Sequence, residues 1–556
     1  MDTISRVLSR PQAKPYRTSE LDTENVQFDE QGLLKFSPVD VENPKEWSRG
    51  RKWFITASCV ALVTNGSMAS SSPSGCLPSI SEDLGVSMEV ARLTVTLFVL
   101  GFCSGPALWA PLSEYYGRRK LYIGCFLGYT AFTFLCAFTP NITGLLIGRF
   151  LCGVFIGGAI SNTPGIFADL WGPIERNTCM MLFTCSLQMG PSLGPVTSGF
   201  YQLKLDWRWN FYQLLWLAGG SLLLLPLIPE TLPSRALLTK ARRIRKAQAP
   251  GYESVRAPLE VEDRSLLEIF KVTLTRPWAV LLDPIAAMIA IYMTLVYTLL
   301  YMLFTIFPIA FIEIRCWNAG VGELPLLSVC VGSFVAGAYI FWDSLRQRKN
   351  IAAGHQHCAE DTLPVAMTGA VAFPIGIFLL GWSGAYASVH WIAPCIGGVI
   401  VSFAIAVLFV ASLSYLSETY LMYAASAQAG NQIMRSSVAA AAPLFTSQMF
   451  AALGMGGGAS LIGGFAMVLM PIPLVFYKYG ARIRVKSKFA PTQAGLGNKE
   501  GDDEAQDTAS ARILEGEMRS RGDRQEEIEE ARSDADSWND RFNDKDELEQ
   551  RERSPV

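Results

Sequence analysis

Apolar residues in this chain gather into runs of about 20, long enough to cross the hydrocarbon core of a bilayer. The runs follow one another from position 53 to 476 with polar breaks between them. A bilayer core offers no water to an unpaired peptide group, so such runs must fold as helices. Twelve are read, at 53–70, 90–110, 121–138, 145–167, 178–201, 212–228, 278–307, 325–341, 364–381, 391–415, 424–445 and 459–476. The longest connection follows the sixth. The expected fold is an all-α membrane protein with twelve transmembrane helices in two six-helix halves. Its divisions are a disordered cytoplasmic tail over 1–49, a first half over 50–229 and a cytoplasmic linker over 230–277. A second half over 278–488 and a second disordered cytoplasmic tail over 489–556 complete it. Both tails are polar and aperiodic. The first apolar run begins too deep for a cleavable signal peptide.

Basic residues set the orientation. Lys45, Arg49, Arg51 and Lys52 precede the first span; Arg118, Arg119 and Lys120 lie between the second and third. Arg346, Arg348 and Lys349 follow the eighth, and Lys478, Arg482, Arg484, Lys486 and Lys488 follow the twelfth. All fall on one side if the spans alternate, against Lys204, Arg208, Arg315 and Arg92 on the other. Both termini are therefore expected in the cytoplasm, with the plasma membrane as the expected site and a vacuolar membrane as the alternative. The sequon Asn141-Ile142-Thr143 falls in a very short outer loop. In the linker, Lys240, Arg242, Arg243, Arg245 and Lys246 either rest on anionic lipid or are simply solvated. Ser265 to Glu268 fits a capping box that opens a short interfacial helix.

Composition excludes several classes. Half of the 556 residues are hydrophobic, 17% are charged, and the net charge of −2 points to no nucleic-acid partner. No phosphate-binding Gly-rich loop is present. The twelve cysteines do not make a secreted framework; nine lie in or beside apolar runs, while Cys76 and Cys316 fall in loops on the same outer side, where a disulfide is an open possibility. His355, His357 and Cys358 cluster without a second pair at zinc-site spacing, so no metal is expected. No nucleophile signature appears and no cofactor is implied, so an enzyme is not expected. Membrane lipid is an expected partner.

Ser186, Gly190, Gly194 and Ser198 recur every four residues, a narrow small-residue stripe on a helix. Pro191 and Pro195 each remove a donor from that helix, so it must be packed among others or line a cavity. It is either a kinked packing helix or a pivot between two conformations. Between spans two and three, Glu114 and Arg118 are four apart and could pair, or each could bond to a neighbouring helix end. Gly117 permits the tight turn, and Arg119 follows. Asp343, Arg346 and Arg348 form a looser version after span eight. Arg149, in span four with Gly153 and Gly157 after it, is costly in a bilayer and invites a functional reading; near the outer end it could instead snorkel. Tyr297 and Tyr301 share a face of span seven, suited to a flat or cationic organic substrate or to packing. Gln428, Asn431, Gln432 and Arg435 form one stripe on span eleven, and Asn65 and Gln188 are further cavity candidates. Asp169, Glu175, Asp283 and Glu418 lie near cytoplasmic ends, where each could load a proton or cap a helix.

These residues carry a resemblance. The segment from Ala110 to Lys120 is similar to the loop signature of the major facilitator superfamily, Gly-x-Leu-x-Asp-x-x-Gly-Arg-Arg, with Ala110 in place of the first Gly and Glu114 in place of the Asp. The stretch Gly190-Pro-x-x-Gly-Pro195 resembles the signature of that superfamily's antiporters. Trp109 to Glu114, Pro229-Glu-Thr231 and Ala424-Ala-Ser-Ala427 resemble the fungal twelve-span drug:proton antiporters. The resemblance covers roughly 44–485. It implies two halves rocking about a central cavity, a proton as coupling partner, and an Arg at position 149 that serves proton transfer or holds the core. The function it implies is proton-coupled efflux of drugs, toxins or secondary metabolites, with a small organic substrate as partner and a monomer as the working unit. A polyamine or nutrient carrier of the same fold and a transport-dead membrane sensor are the alternatives.

Overall fold

The computed structural model describes residues 27–28, 32–37, 40, 42–246, 255–261, 266–353, 358–487 and 489–490. Apart from a short antiparallel hairpin, β1 (Gln27–Phe28) and β2 (Leu34–Lys35), they form helices and turns. In chain order these are α1 (Arg49–Ser71), α2 (Leu77–Asp83), α3 (Met88–Tyr116), α4 (Arg118–Phe138), α5 (Ile142–Leu170), α6 (Pro173–Lys204) and α7 (Arg208–Leu224). After them come α8 (Pro233–Lys246), α9 (Pro258–Val261), α10 (Leu266–Leu281), α11 (Pro284–Pro308) and α12 (Ala319–Glu323). The last are α13 (Leu327–Ala352), α14 (Leu363–Gly384), α15 (Ile392–Tyr420), α16 (Ala424–Leu469) and α17 (Pro471–Lys486).

Among the described residues, nine helical stretches are long and apolar enough to cross a membrane. α1 and α6, 23 and 32 residues long, fall outside the nine because small polar residues dilute them. The stretch from Ala424 to Gly480 counts once. Within it the backbone turns at Gly454 (φ 70°, ψ 168°), a left-handed conformation that glycine adopts without a Cβ penalty. Side chains fix several helix starts by supplying an acceptor to the unpaired first turn. Ser87 accepts from the Val90 N–H, Asn318 from Val321, and the sequon residue Asn141 from Gly144.

Two large buried clusters divide the long helices. One draws on residues from Ile55 to Ile228, in α1 to α7 and the turn after them. The other runs from Val280 to Ala490 and takes in Val95, Val99 and Val196 from the first set. A third, small cluster joins Leu34 of the hairpin to Leu238, Ala241 and Ile244 of α8 and to Val255 and Ala257. These contacts bear on two expectations. Leu34, Asp40 and Glu42, within the stretch expected to be a disordered tail, pack on or pair with the linker helix. The basic cluster of α8 is neither bare nor turned wholly to lipid: Lys240 pairs with Asp40 (2.5 Å), Arg243 with Glu42 (2.7 Å) and Arg245 with Glu260 (2.5 Å). Burial pushes the Glu260 carboxyl up, but hydrogen bonds from Arg245 and the Ala257 N–H outweigh it and hold the group below its ordinary value. The apolar face of α8 had to be covered, and covering it brought the acids within reach. Cys76 is buried and Cys316 exposed, and both are free thiols, so the loop disulfide is not formed. His355, His357 and Ser265 lie outside the described residues.

Candidate functional site

A cavity of about 770 Å³ lies between the two sets of helices. Pro164, Gly165 and Ala168 of α5 and Arg176, Met180 and Thr184 of α6 form one wall. Asp343 and Gln347 of α13, Ser414, Ser417 and Glu418 of α15 and Gln428 of α16 are among the residues of the other. It sits at the end of the molecule that carries the basic loops, since Gly165 packs against the Arg118 guanidinium and Gln347 is next to Arg346 and Arg348. Gln428 donates to Ser417 Oγ (2.6 Å), so the amide reaches the cavity wall already oriented. Of the expected cavity residues only Gln428 lines this space.

Deeper in, the two sets touch. The Gln188 carboxamide lies 2.9 Å from Ser333 Oγ and 3.2 Å from Ser402 Oγ, joining α6 to α13 and α15. Cys103 Sγ donates to the Ile433 carbonyl (3.4 Å) and Tyr301 donates to Ser70 Oγ (3.4 Å), while at the exposed first turn of α3 Gln448 donates to Glu89 (2.8 Å). Tyr297 and Tyr301 stack edge to face with ring centres 5.4 Å apart. The Arg435 guanidinium stands 5.0 Å from the Tyr297 ring and 4.4 Å from that of Phe409, and donates to Gln432. Arg435 Nε and both polar atoms of the Asn431 side chain are buried without a hydrogen-bond partner. Tyr297, Tyr301, Gln188, Asn431, Gln432 and Arg435 are not among the residues that line the cavity.

Asn65 is a correction. Its amide donates to Ser221 Oγ (2.9 Å), which ties α1 to α7 inside the first set. The amide nitrogen thus finds its partner in its own set, while the amide oxygen is buried without one.

The loop between α3 and α4 is built around Gly117, at φ 94°. The break separates Glu114 from Arg118; of the two alternatives, pairing with each other or bonding to a neighbouring helix end, Arg118 takes the second, and Glu114 is exposed with no ion pair among the described residues. Arg118 turns instead to α5. It donates through Nε to Asp169 (3.3 Å) and through Nη1 to Asn162 and Ser113 (3.0 Å each). Asn162 and Asp169 are seven residues apart, two turns on one face of α5. Glu230 accepts from the backbone N–H groups of Arg118 (2.9 Å) and Arg119 (3.3 Å), a carboxylate placed on the helix N-terminus where the dipole favours it. Arg119 donates to the Pro226 carbonyl (3.1 Å).

The glycine stripe of α6 faces α1. A Cβ on Gly190 would stand 2.6 Å from Ser67 Cβ and 2.8 Å from the Met68 nitrogen; one on Gly194 would stand 2.8 Å from the Met68 carbonyl oxygen. Backbone approaches backbone at both glycines. Arg149 does not snorkel: it is 1% exposed and donates to the carbonyls of Thr94 (2.8 Å) and Ser70 (3.0 Å), with Phe98 4.3 Å below. It binds α5 to α3 and α1.

The sequence pattern of the Major Facilitator Superfamily matches residues 57–443. The chain is 35% identical over 472 residues to "Efflux pump FUB11" of Gibberella moniliformis, covering 83% of this chain and 78% of that one. It is 35% identical over 455 residues to "Major facilitator superfamily multidrug transporter mdrA" of Aspergillus fumigatus, with 81% and 74% covered. Among solved structures, the human organic anion transporter MFSD10 superposes with a TM-score of 0.53 at 17% identity, over 76% of this chain and 99% of that one. At that identity the likeness is one of fold.

Proposed function

The chain belongs to the Major Facilitator Superfamily, and from that premise we infer that it exports small organic compounds, driven by proton entry. Membership makes it a multi-pass secondary transporter of small organic compounds, a carrier and not an enzyme. Beyond that, we read twelve crossings in two six-helix halves, 50–229 and 278–488, joined by the linker over 230–277. The break at Gly454 supports counting α16 with α17 as two crossings. We place both termini in the cytoplasm, which the excess of Lys and Arg on one side supports, and read the chain as a plasma-membrane monomer.

The observation that carries the reading is the cavity between the two sets, reached from the end that bears the basic loops and floored by the contacts around Gln188, Tyr301 and Arg435. This is what an inward-facing carrier requires: a site between two bodies, open on one side. Substrate enters beside Gln428, the sets rock, and the floor opens to the other side. The Arg118–Asp169–Glu230 network keeps the first set rigid during that motion. One proton charge moving through about 100 mV supplies about 2.3 kcal/mol, enough for roughly a fifty-fold gradient. The named relatives, an efflux pump and a multidrug transporter, favour export.

Asp343 and Glu418 in the cavity wall favour a second reading, a carrier of cationic compounds such as polyamines. Accumulation of a panel of dyes, toxins and polyamines in cells expressing the chain tests both. Expression should lower accumulation of at least one compound, and a protonophore should restore it. Unchanged accumulation across the panel would reject export.

A further inference from the structure

α12 is five residues long and carries one acid, Glu323. It lies against the last turns of α6, at the end of the molecule away from the cavity. Two glycines make the fit. A Cβ on Gly199 would stand 2.7 Å from the Ala319 carbonyl oxygen and 2.9 Å from Glu323 Cγ; one on Gly320 would stand 2.8 Å from Leu203 and Phe200 side-chain carbons. The two sets of helices therefore close here over Glu323, which is 2% exposed.

Among the described residues, no cation pairs with a negative charge in that contact. Glu323 Oε2 is buried without a hydrogen-bond partner, and no ion pair reaches the carboxyl among the described residues. On α6, Tyr201 is half-buried and Lys204 is exposed. On the turn Ser72–Cys76 the titratable group is the buried Cys76 thiol. On α11, Tyr301 donates to Ser70. After α11, Glu313 and Cys316 are exposed, and the Arg315 guanidinium donates to the carbonyls of Val389, Ser383 and Tyr386. α13, beyond α12, brings no charge until Asp343 at its far end. Burying an ionised carboxylate without a partner costs far more than burying the neutral acid.

We propose that Glu323 is a proton-operated latch: the contact between α6 and α12 closes over the protonated acid and opens when the acid ionises. Closing takes one proton from the outer solution and opening returns it, so the acidity of that side sets the balance between the two states. Acid outside favours the closed, inward-facing form, and a rise in pH favours opening. This rests on the reading of the chain as a two-state carrier.

The test is a distance and needs no substrate. The full chain, with the exposed Cys316 and Cys358 changed to Ser, carries spin labels on Glu82→Cys and Ser388→Cys, two exposed positions at this end. It is reconstituted in lipid nanodiscs and measured by pulsed electron resonance between pH 5 and pH 9. The ratio of long to short distances should rise by up to about tenfold per pH unit over the titrating range, as one proton dictates. Glu323→Gln should hold the short distance throughout, Glu323→Met should do the same if the first variant folds poorly, and Glu313→Gln should behave as the parent. A Glu323→Gln profile that follows the parent, or a parent distance that ignores pH, would overturn the latch. Neither result touches the exporter reading, which stands or falls on the accumulation panel.

Discussion

Ser71 Oγ donates to the carbonyl oxygen of Pro191 at 2.5 Å. That carbonyl is the one Pro195, four residues on, cannot serve, because proline has no N–H. The hydroxyl of α1 thus fills the gap that the second proline opens in α6. Ser71→Ala should leave a buried acceptor unpaired and cost about 1–3 kcal/mol, read as a lower Tm of the purified protein. Ser71→Thr keeps the donor and should lose less.

The stripe beside that bond predicts a steric result. Gly190→Ala or Gly194→Ala places a methyl against the Ser67–Ser72 backbone and should cost about 1–3 kcal/mol each. Gly190→Leu and Gly194→Leu should abolish transport, whereas normal transport by either would show that α1 and α6 need not approach so closely. Thermal unfolding and substrate efflux check the series.

Arg118 and Asp169 are 15% and 14% exposed, so their pair is largely desolvated. Removing one partner of such a pair strands the other, at about 3–5 kcal/mol when burial is complete. Arg118→Ala should lower transport at least tenfold at equal membrane abundance. Arg118→Lys should rescue little, because an ammonium cannot reach Asp169, Asn162 and Ser113 together. Glu114→Gln, on the exposed side of the turn, should leave transport within twofold of the parent.

Arg149 holds two backbone carbonyls and has no ion pair with a carboxylate among the described residues. Arg149→Ala should destabilise the first set by roughly 2–4 kcal/mol, the range for breaking a buried network, and Arg149→Lys should recover part of it. The check is Tm together with the fraction of protein that reaches the membrane. A stable Arg149→Ala variant that binds substrate but fails to move it would assign the residue to transport instead.

Asn65 and Gln428 separate packing from substrate contact. Asn65→Ala should change stability by about 1 kcal/mol through its bond to Ser221 and leave the KM for export unchanged. Gln428→Ala should raise KM severalfold with little change in Tm. The reverse pattern would return Asn65 to the cavity.

The helices were legible because membrane insertion leaves no choice: an apolar run of sufficient length must be a helix, whatever its neighbours do. The turn at Gly117 was legible for the same local reason. What Arg118 binds was not. Asp169 is 51 positions away, and only the packing of α4 on α5 brings the two together. Asn65, Gln188 and Asn431 read alike in the sequence, each an amide in an apolar run. One bonds within its own set, one bridges the two sets, and one is buried without a partner. Nothing local distinguishes the face each occupies. Ser414 and Ser417 of the cavity wall gave no signal at all, since serine is ordinary in a membrane helix. Glu323 lies in a loop by sequence, and only the glycine contact with α6 buries it.

The most direct test of the account is transport by the purified chain in sealed vesicles with an imposed pH gradient, using a compound drawn from the accumulation panel. The compound should move against its own gradient, opposite to the proton flow, and stop when a protonophore collapses the difference. Movement at the same rate with and without the gradient, or no faster than in vesicles lacking the protein, would contradict proton-driven export.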